Sequence, residues 1–161
     1  YPLDQFAIST FNHLVEFSRE RKNVAVLTGY ELHLSRKLKE SADVWLNTPR
    51  ITREASGTSG MTAAMNGAIS VSIPDGWIPE FARNGENCFI TPVTDYHLPV
   101  SQQDDIDYEN IMQILENEVM PTYYENPKRW AEIMMNAMRD VVPAFESGRM
   151  AAEYYDRMYN F

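Results

Sequence analysis

The chain has 161 residues, 44% hydrophobic and 23% charged, which is long enough for one domain with its own buried core. A formal net charge of −9 argues against nucleic acid as a partner, because phosphate backbones are bound through lysine and arginine; here the acidity reads as keeping the protein dispersed in water. Cys88 is the single cysteine, which leaves no disulfide framework or cysteine metal cluster, and no apolar run approaches a membrane span.

In chain order, Pro2 and Asp4 look like a helix start, and Ala7, Ile8, Phe11, Leu14 and Val15 follow the spacing of one buried helical face. Val24 to Thr28 is a short apolar run between Asn23 and Gly29, as expected of a buried parallel strand. Tyr30 to Lys39 reads as a second helix packed through Leu32, Leu34 and Leu38. Ala42 to Asn47 reads as a strand closed by Pro49. There is no secretory signal pattern, and Tyr1 is not an initiator methionine. A missing N-terminal portion and a cytoplasmic location are therefore the expectations.

The stretch from Glu54 to Glu80 carries the most information. Gly57 and Gly60 flank Thr58 and Ser59, and no large side chain comes before Met61. Such a turn lets a ligand approach the backbone, and a helix starting there aims unpaired N–H groups and its positive dipole end at one point, which suits a phosphate. A tightly packed loop is the other reading. Ala63, Ala64 and Met65 extend the helix, Asn66-Gly67 can end it in a left-handed cap, and Ala68 to Ile73 alternate as a strand. Pro74-Asp75-Gly76 then turns the chain. Glu54, Asp75 and Glu80 cluster around this stretch. The first two sit where open α/β sheets bind ligands, unless they merely cap helices or turns.

Asn87 to Pro92 is a further strand candidate. After Tyr96 the pattern becomes helical, with stripes at Tyr108, Ile111, Met112, Leu115 and Val119, and at Trp130, Ile133, Met134, Ala137, Met138 and Val141. A last helix after Pro143 is expected to turn Phe145, Met150, Tyr154 and Met158 inward. The nine methionines lie largely on these stripes and read as core filler. His13, His33 and His97 have no metal-type spacing, and no metal site is expected. Strands alternating with helices predict an α/β fold, a parallel sheet with flanking helices over residues 1–95 and a helical tail over 96–161.

The run Glu54-Ala55-Ser56-Gly57-Thr58-Ser59-Gly60-Met61, followed by Asn66-Gly67 and Asp75-Gly76, resembles the α-glucan (glycogen, starch and maltodextrin) phosphorylases. The resemblance is to the shorter bacterial type and covers nearly the whole chain. It includes Tyr1 to Asp4, Gly29-Tyr30-Glu31, Asp43 to Arg50, Pro121 to Tyr124, Trp130, Pro143-Ala144-Phe145 and Arg149-Met150. It implies that the sheet is Rossmann-like, as the second domain of a two-Rossmann-domain (GT-B) glycosyltransferase, with the N-terminal domain of the same protein absent. The isolated piece is then expected to be inactive.

The implied reaction is reversible phosphorolysis of an α-1,4-glucan to glucose 1-phosphate with retention. The partners are α-glucan or maltodextrin and phosphate, and a homo-oligomer is compatible with the family. By resemblance Glu54, Ser56, Gly57 and Asp75 hold the glucosyl unit, and Thr58, Ser59 and Gly60 cradle the phosphate of pyridoxal phosphate. The position of the lysine that forms the Schiff base is Thr62, which has no amine. Either the cofactor is held non-covalently or it is absent. In the second case the chain is expected to belong to a sugar-nucleotide-dependent transferase or to a non-catalytic glucan-binding homologue.

Overall fold

The computed structural model describes residues 3–53 and 57–160. The chain divides into two units, residues 1–35 and 36–161. In the first, α1 (Gln5–Arg19) is capped by Asp4, whose carboxylate accepts from the Ala7 N–H at 2.9 Å. The Arg21 guanidinium stacks on the Phe17 ring, 3.6 Å from its centroid. The run from Val24 to Thr28 does not form the expected strand. The composition of a short apolar run suits a strand without securing one. It becomes a strand only by pairing, and none of the three strands of the sheet pairs with it. Helix α2 (Leu32–Ser41) follows, with the Glu31 carboxylate accepting from the His33 N–H. Of its expected packing residues, Leu34 is half-buried, whereas Leu32 and Leu38 are exposed.

In the second unit, β1 (Val44–Asn47), β2 (Ile69–Ser72) and β3 (Phe89–Ile90) form a parallel sheet in the order β1-β2-β3. Val44 stands opposite Ile69 and Asn47 opposite Ser72, so β1 and β2 end level with one another. Helix α3 (Thr58–Met65) joins β1 to β2, and the single turn α4 (Ile78–Phe81) joins β2 to β3. All four residues of β2 are buried, as the central strand of a sheet covered on both faces requires. The fold is therefore α/β with a small parallel sheet and flanking helices, as expected.

The helical tail runs α5 (Val100–Ile114), a π-helical turn Leu115–Val119, α6 (Met120–Glu125), α7 (Pro127–Phe145), α8 (Ser147–Tyr154) and a second π-helical turn, Tyr155–Tyr159. Helix α7 packs on α3 and β2 and behaves as its sequence predicts: Trp130, Ile133, Ala137 and Val141 are buried. Asn126 caps it, accepting from the Arg129 N–H at 3.1 Å, and Pro127 opens its first turn. Ile69, Val71, Phe89, Ile114, Trp130 and Ile133 make the larger core cluster. A second gathers Ala64, Trp77, Ile78 and Val141, beside a Phe81–Phe145 ring pair at 4.6 Å. Each large apolar side chain so buried contributes roughly 1.5–3 kcal/mol.

Three expectations for the tail are corrected. Tyr108 is exposed while Ile114, outside the expected stripe, is buried, because the inward face of α5 runs through Gln103, Asp107, Asn110 and Ile114; the π-helical turn that follows spaces Val119 five residues beyond Ile114. Pro143 lies inside α7 and does not start a new helix. Being only two residues from the end of α7, it costs a single backbone hydrogen bond there. Met150, Tyr154 and Met158 are exposed, so of the face expected to be inward only Phe145 joins the core.

Candidate functional site

The site is built where β1 and β2 end. Because the strands are level, the loops leaving them emerge side by side, and the Asn47 side-chain amide donates to the Ser72 hydroxyl at 3.2 Å. Beyond that pair the Thr52 backbone N–H donates to Asp75 Oδ2 at 3.3 Å, while Asp75 Oδ1 accepts from the Gly76 N–H at 2.7 Å. Thr52 holds a left-handed φ of +66°, which a β-branched residue adopts only under constraint. Arg50 anchors the same loop from the other side through a bidentate pair to Asp104, at 2.7 and 2.9 Å from Nη2.

The Gly57–Gly60 turn opens α3 as expected. Gly57 is the N-cap and has no side chain to offer, and the Thr58 and Ser59 N–H groups have no partner among the described residues. The cap at the other end matches expectation as well. Gly67, at φ +94°, donates its N–H to the Ala64 carbonyl, and Ala68 donates to the Ala63 carbonyl, a Schellman arrangement. Gly60 is buried beneath Trp77: a Cβ there would lie 3.4 Å from Trp77 Cζ2. The first turn of α3 thus packs on the loop that follows Asp75.

The structure places Gly57, Thr58, Ser59, Gly60 and Thr62 on one short helix start, and links the loop before it to Asp75. Glu54 and Ser56 lie outside the described residues. Asp75 does not present a free carboxylate, since both oxygens already accept backbone hydrogen bonds. Thr52, Trp77 and Arg50 were not identified from sequence. Arg50 closes the Asn47-Thr48-Pro49-Arg50 run, and that position was its only signal; the contacts of Thr52 and Trp77 appear only once the loops converge.

The donors suit the phosphate half of pyridoxal phosphate: an N-terminal helical turn with two amides that have no partner among the described residues. The covalent half does not fit. Thr62 carries no amine, and its Oγ1 donates to the Thr58 carbonyl at 3.0 Å. The four lysines are Lys22, Lys37, Lys39 and Lys128. Lys37 and Lys39 lie on α2 and Lys128 on α7, while Lys22 follows α1, so all are outside the motif. Among the described residues no group of three or more metal-binding side chains occurs, and no helix is long and apolar enough to cross a membrane. Cys88 is buried, and burial pushes its thiol up to about 11.

Sequence comparison agrees with the resemblance. The chain is a homologue of the glycogen and maltodextrin phosphorylases along nearly its whole length. It is 39% identical over 165 residues to a maltodextrin phosphorylase of Thermococcus litoralis, covering 99% of this chain and 20% of that protein. It is 34% identical over 168 residues to a glycogen phosphorylase of Aquifex aeolicus, covering 99% of this chain and 24% of that enzyme. A further relative, an uncharacterised protein of Methanocaldococcus jannaschii, is 40% identical over 160 residues, covering 29% of its length. The chain thus spans less than a third of the length of each of these relatives. No family model matches it.

Proposed function

We propose that this chain is the sugar-phosphate half of the active site of an α-glucan phosphorylase-type glycosyltransferase, a cytoplasmic enzyme of GT-B architecture. The rest of the cleft would be supplied by an N-terminal domain of the same protein. The observation that carries the reading is the amide-lined start of α3 braced to the Asp75 turn, in a chain whose relatives include phosphorylases.

In this reading the Thr58, Ser59 and Gly60 backbone receives a phosphate group, and Glu54, Ser56 and Gly57 take hydroxyls of the terminal glucosyl unit. Asp75 acts one step back, fixing the loop that delivers Glu54. The reaction breaks the terminal α-1,4 bond and forms a bond from C1 to a phosphate oxygen. The shortened glucan leaves with the proton on its O4, and the product is glucose 1-phosphate. Pyridoxal phosphate, when bound in such enzymes, supplies a phosphate beside the substrate phosphate, and its ring chemistry is not used. This chain's own residues offer it a cradle without a covalent anchor.

The Thr62 hydroxyl, engaged within its own helix, also favours a second reading: a transferase of the same architecture that takes the diphosphate of a sugar nucleotide at the α3 turn. The test is release of glucose 1-phosphate from maltodextrin and phosphate by the full-length protein. Activity abolished by Glu54→Gln supports phosphorolysis. No product, together with calorimetric binding of a nucleoside diphosphate glucose, transfers the site to the second reading.

A further inference from the structure

Three loops leave the carboxyl ends of the three strands on one edge of the sheet, the edge where open α/β sheets take their ligands. The strands end level there: Ile73 donates its N–H to the Asn47 carbonyl at 3.2 Å, and Thr91 donates its own to the Ser72 carbonyl at 3.0 Å. The amino-terminal turns of α5 reach two of the loops. Buried Gln103 donates its Nε2 to the Tyr96 carbonyl at 3.2 Å and to the Leu98 carbonyl at 2.6 Å, and the Asp107 carboxylate accepts from the Thr94 hydroxyl. Those bonds hold the loop after β3. Asp104, one residue beyond Gln103, takes the loop after β1 instead. Its Oδ1 accepts from Arg50 Nε at 3.1 Å and from Nη2 at 2.7 Å, and its Oδ2 lies 2.9 Å from Nη2.

A groove of about 460 Å³ lies between that loop and α5, lined by Thr48 and Arg53 from the loop and by Tyr108 and Ile111 from the helix. The Arg50–Asp104 pair spans it. The turn that Arg50 enters is constrained: Arg53 donates its N–H back to the Arg50 carbonyl at 3.0 Å, and Thr52 holds φ at +66°. The same turn carries the Thr52 N–H that meets Asp75, and the next residue in the chain is Glu54. With Arg50 36% and Asp104 54% exposed, solvent and salt screen the pair, so it adds little to global stability. What such a tether can do is select among positions of a loop. It can shift those populations by no more than its own free energy, about fivefold.

We infer that Arg50 and Asp104 are positioning residues for the reaction under the proposed function. Their pair sets the loop between β1 and α3 against α5, and through Gln103 and Asp107 the same helical turns set the loop after β3. The inference rests on the proposed function for the identity of the reaction; the tether rests on the contacts alone. Because the pair is ionic and exposed, it makes the use of an uncharged substrate sensitive to ionic strength.

The test is a double-mutant cycle in the full-length protein, with Arg50→Ala, Asp104→Ala and the two together, read by KM and kcat for maltoheptaose at saturating phosphate. Each single substitution is expected to raise KM about fivefold with kcat little changed, and the double to raise it no further. All three are expected to melt within about 3 °C of the unsubstituted protein, as the loss of an exposed pair predicts. Raising salt from about 50 to about 500 mM should raise KM in the unsubstituted protein and leave the double variant flat, since maltoheptaose carries no charge to screen. Additive effects of the two substitutions, or a KM that stays put in the folded variants, overturn the inference. Hydrogen exchange over residues 48–53 keeps the inference apart from the function it serves. Faster exchange in Arg50→Ala, in a protein that releases no glucose 1-phosphate, would refute the phosphorolysis reading and leave the tether standing. Unchanged exchange in an active enzyme would refute the tether alone.

Discussion

The Thr52 N–H and the Asp75 carboxylate meet at 3.3 Å across 23 residues of sequence, tying the loop after β1 to the turn after β2. The loop between Thr52 and α3 contains Glu54, the residue that the proposed function assigns to the glucosyl hydroxyls. Asp75→Ala removes acceptors for both the Thr52 and Gly76 amides, at a cost of about 1–3 kcal/mol. The expected kinetic signature in the full-length enzyme is a loss in kcat/KM carried mainly by KM for the glucan. An unchanged KM would show that the brace is irrelevant to the site.

Thr52 bears the strain of the same arrangement, with φ at +66°. Asparagine tolerates the left-handed region where a β-branched residue does not, so Thr52→Asn is expected to stabilise the protein by about 1 kcal/mol. Chemical denaturation measures this, and a decrease in stability would mean that the Thr52 side chain has a role beyond its backbone bond.

Gly60, in the first turn of α3, and Gly67, just past its end, are predicted to behave oppositely. At Gly60 an added Cβ meets the Trp77 ring at 3.4 Å, an ordinary contact, and alanine is the better helix former by about 1 kcal/mol, so Gly60→Ala is expected to be near neutral or slightly stabilising. At Gly67, φ is +94° and Met134 Cε would lie 3.2 Å from the new Cβ, so Gly67→Ala is expected to cost about 2 kcal/mol. Thermal melts of the two variants check the pair together.

Much of this helix was legible because its signals are local. Gly57 opens it, Asn66-Gly67 closes it, and the strand after it alternates; all of these are read from neighbours in sequence. What was not legible depends on distant partners. Val24 to Thr28 has the composition of a strand, yet no local feature says whether another strand will lie beside it. The stripe at Met150, Tyr154 and Met158 is amphipathic in sequence but exposed, because a helical face specifies burial without specifying against what. At the site itself, Asp75 was identified for its position and carboxylate. Its bond to the neighbouring Gly76 amide is local, but that its other oxygen goes to the Thr52 amide follows only from the level ends of β1 and β2.

Cys88 gives a pH signature independent of catalysis. Burial raises its thiol from an ordinary 9.0 to about 11, so the folded state keeps a proton that the unfolded chain loses. Stability from this group is complete below pH 9 and is lost as pH rises toward 11, by on the order of 2 kcal/mol. Cys88→Ala should flatten that part of the stability–pH curve, measured by urea denaturation from pH 7 to 10.5. An equal decline in both proteins would assign the effect to other groups.

Thr62 offers the most direct test of how the α3 turn holds its ligand. Its side chain is half-buried and gives its hydrogen to the Thr58 carbonyl, one turn back in the same helix. Replacing it by lysine removes that bond but places a better helix former at the position, so Thr62→Lys should fold with a stability change of less than about 1 kcal/mol. The new amine would stand one turn beyond the Thr58 and Ser59 amides, which have no partner among the described residues, on the helix whose start receives a phosphate in the proposed function. With added pyridoxal phosphate, the full-length Thr62→Lys protein is expected to gain a visible absorption band and a borohydride-stable adduct at residue 62. The unsubstituted protein should gain neither. An adduct on the unsubstituted protein would mean that one of Lys22, Lys37, Lys39 or Lys128, or a lysine outside this chain, serves as the anchor. An unmodified Thr62→Lys protein that still binds the nucleotide sugar would instead assign the amide cradle to a diphosphate.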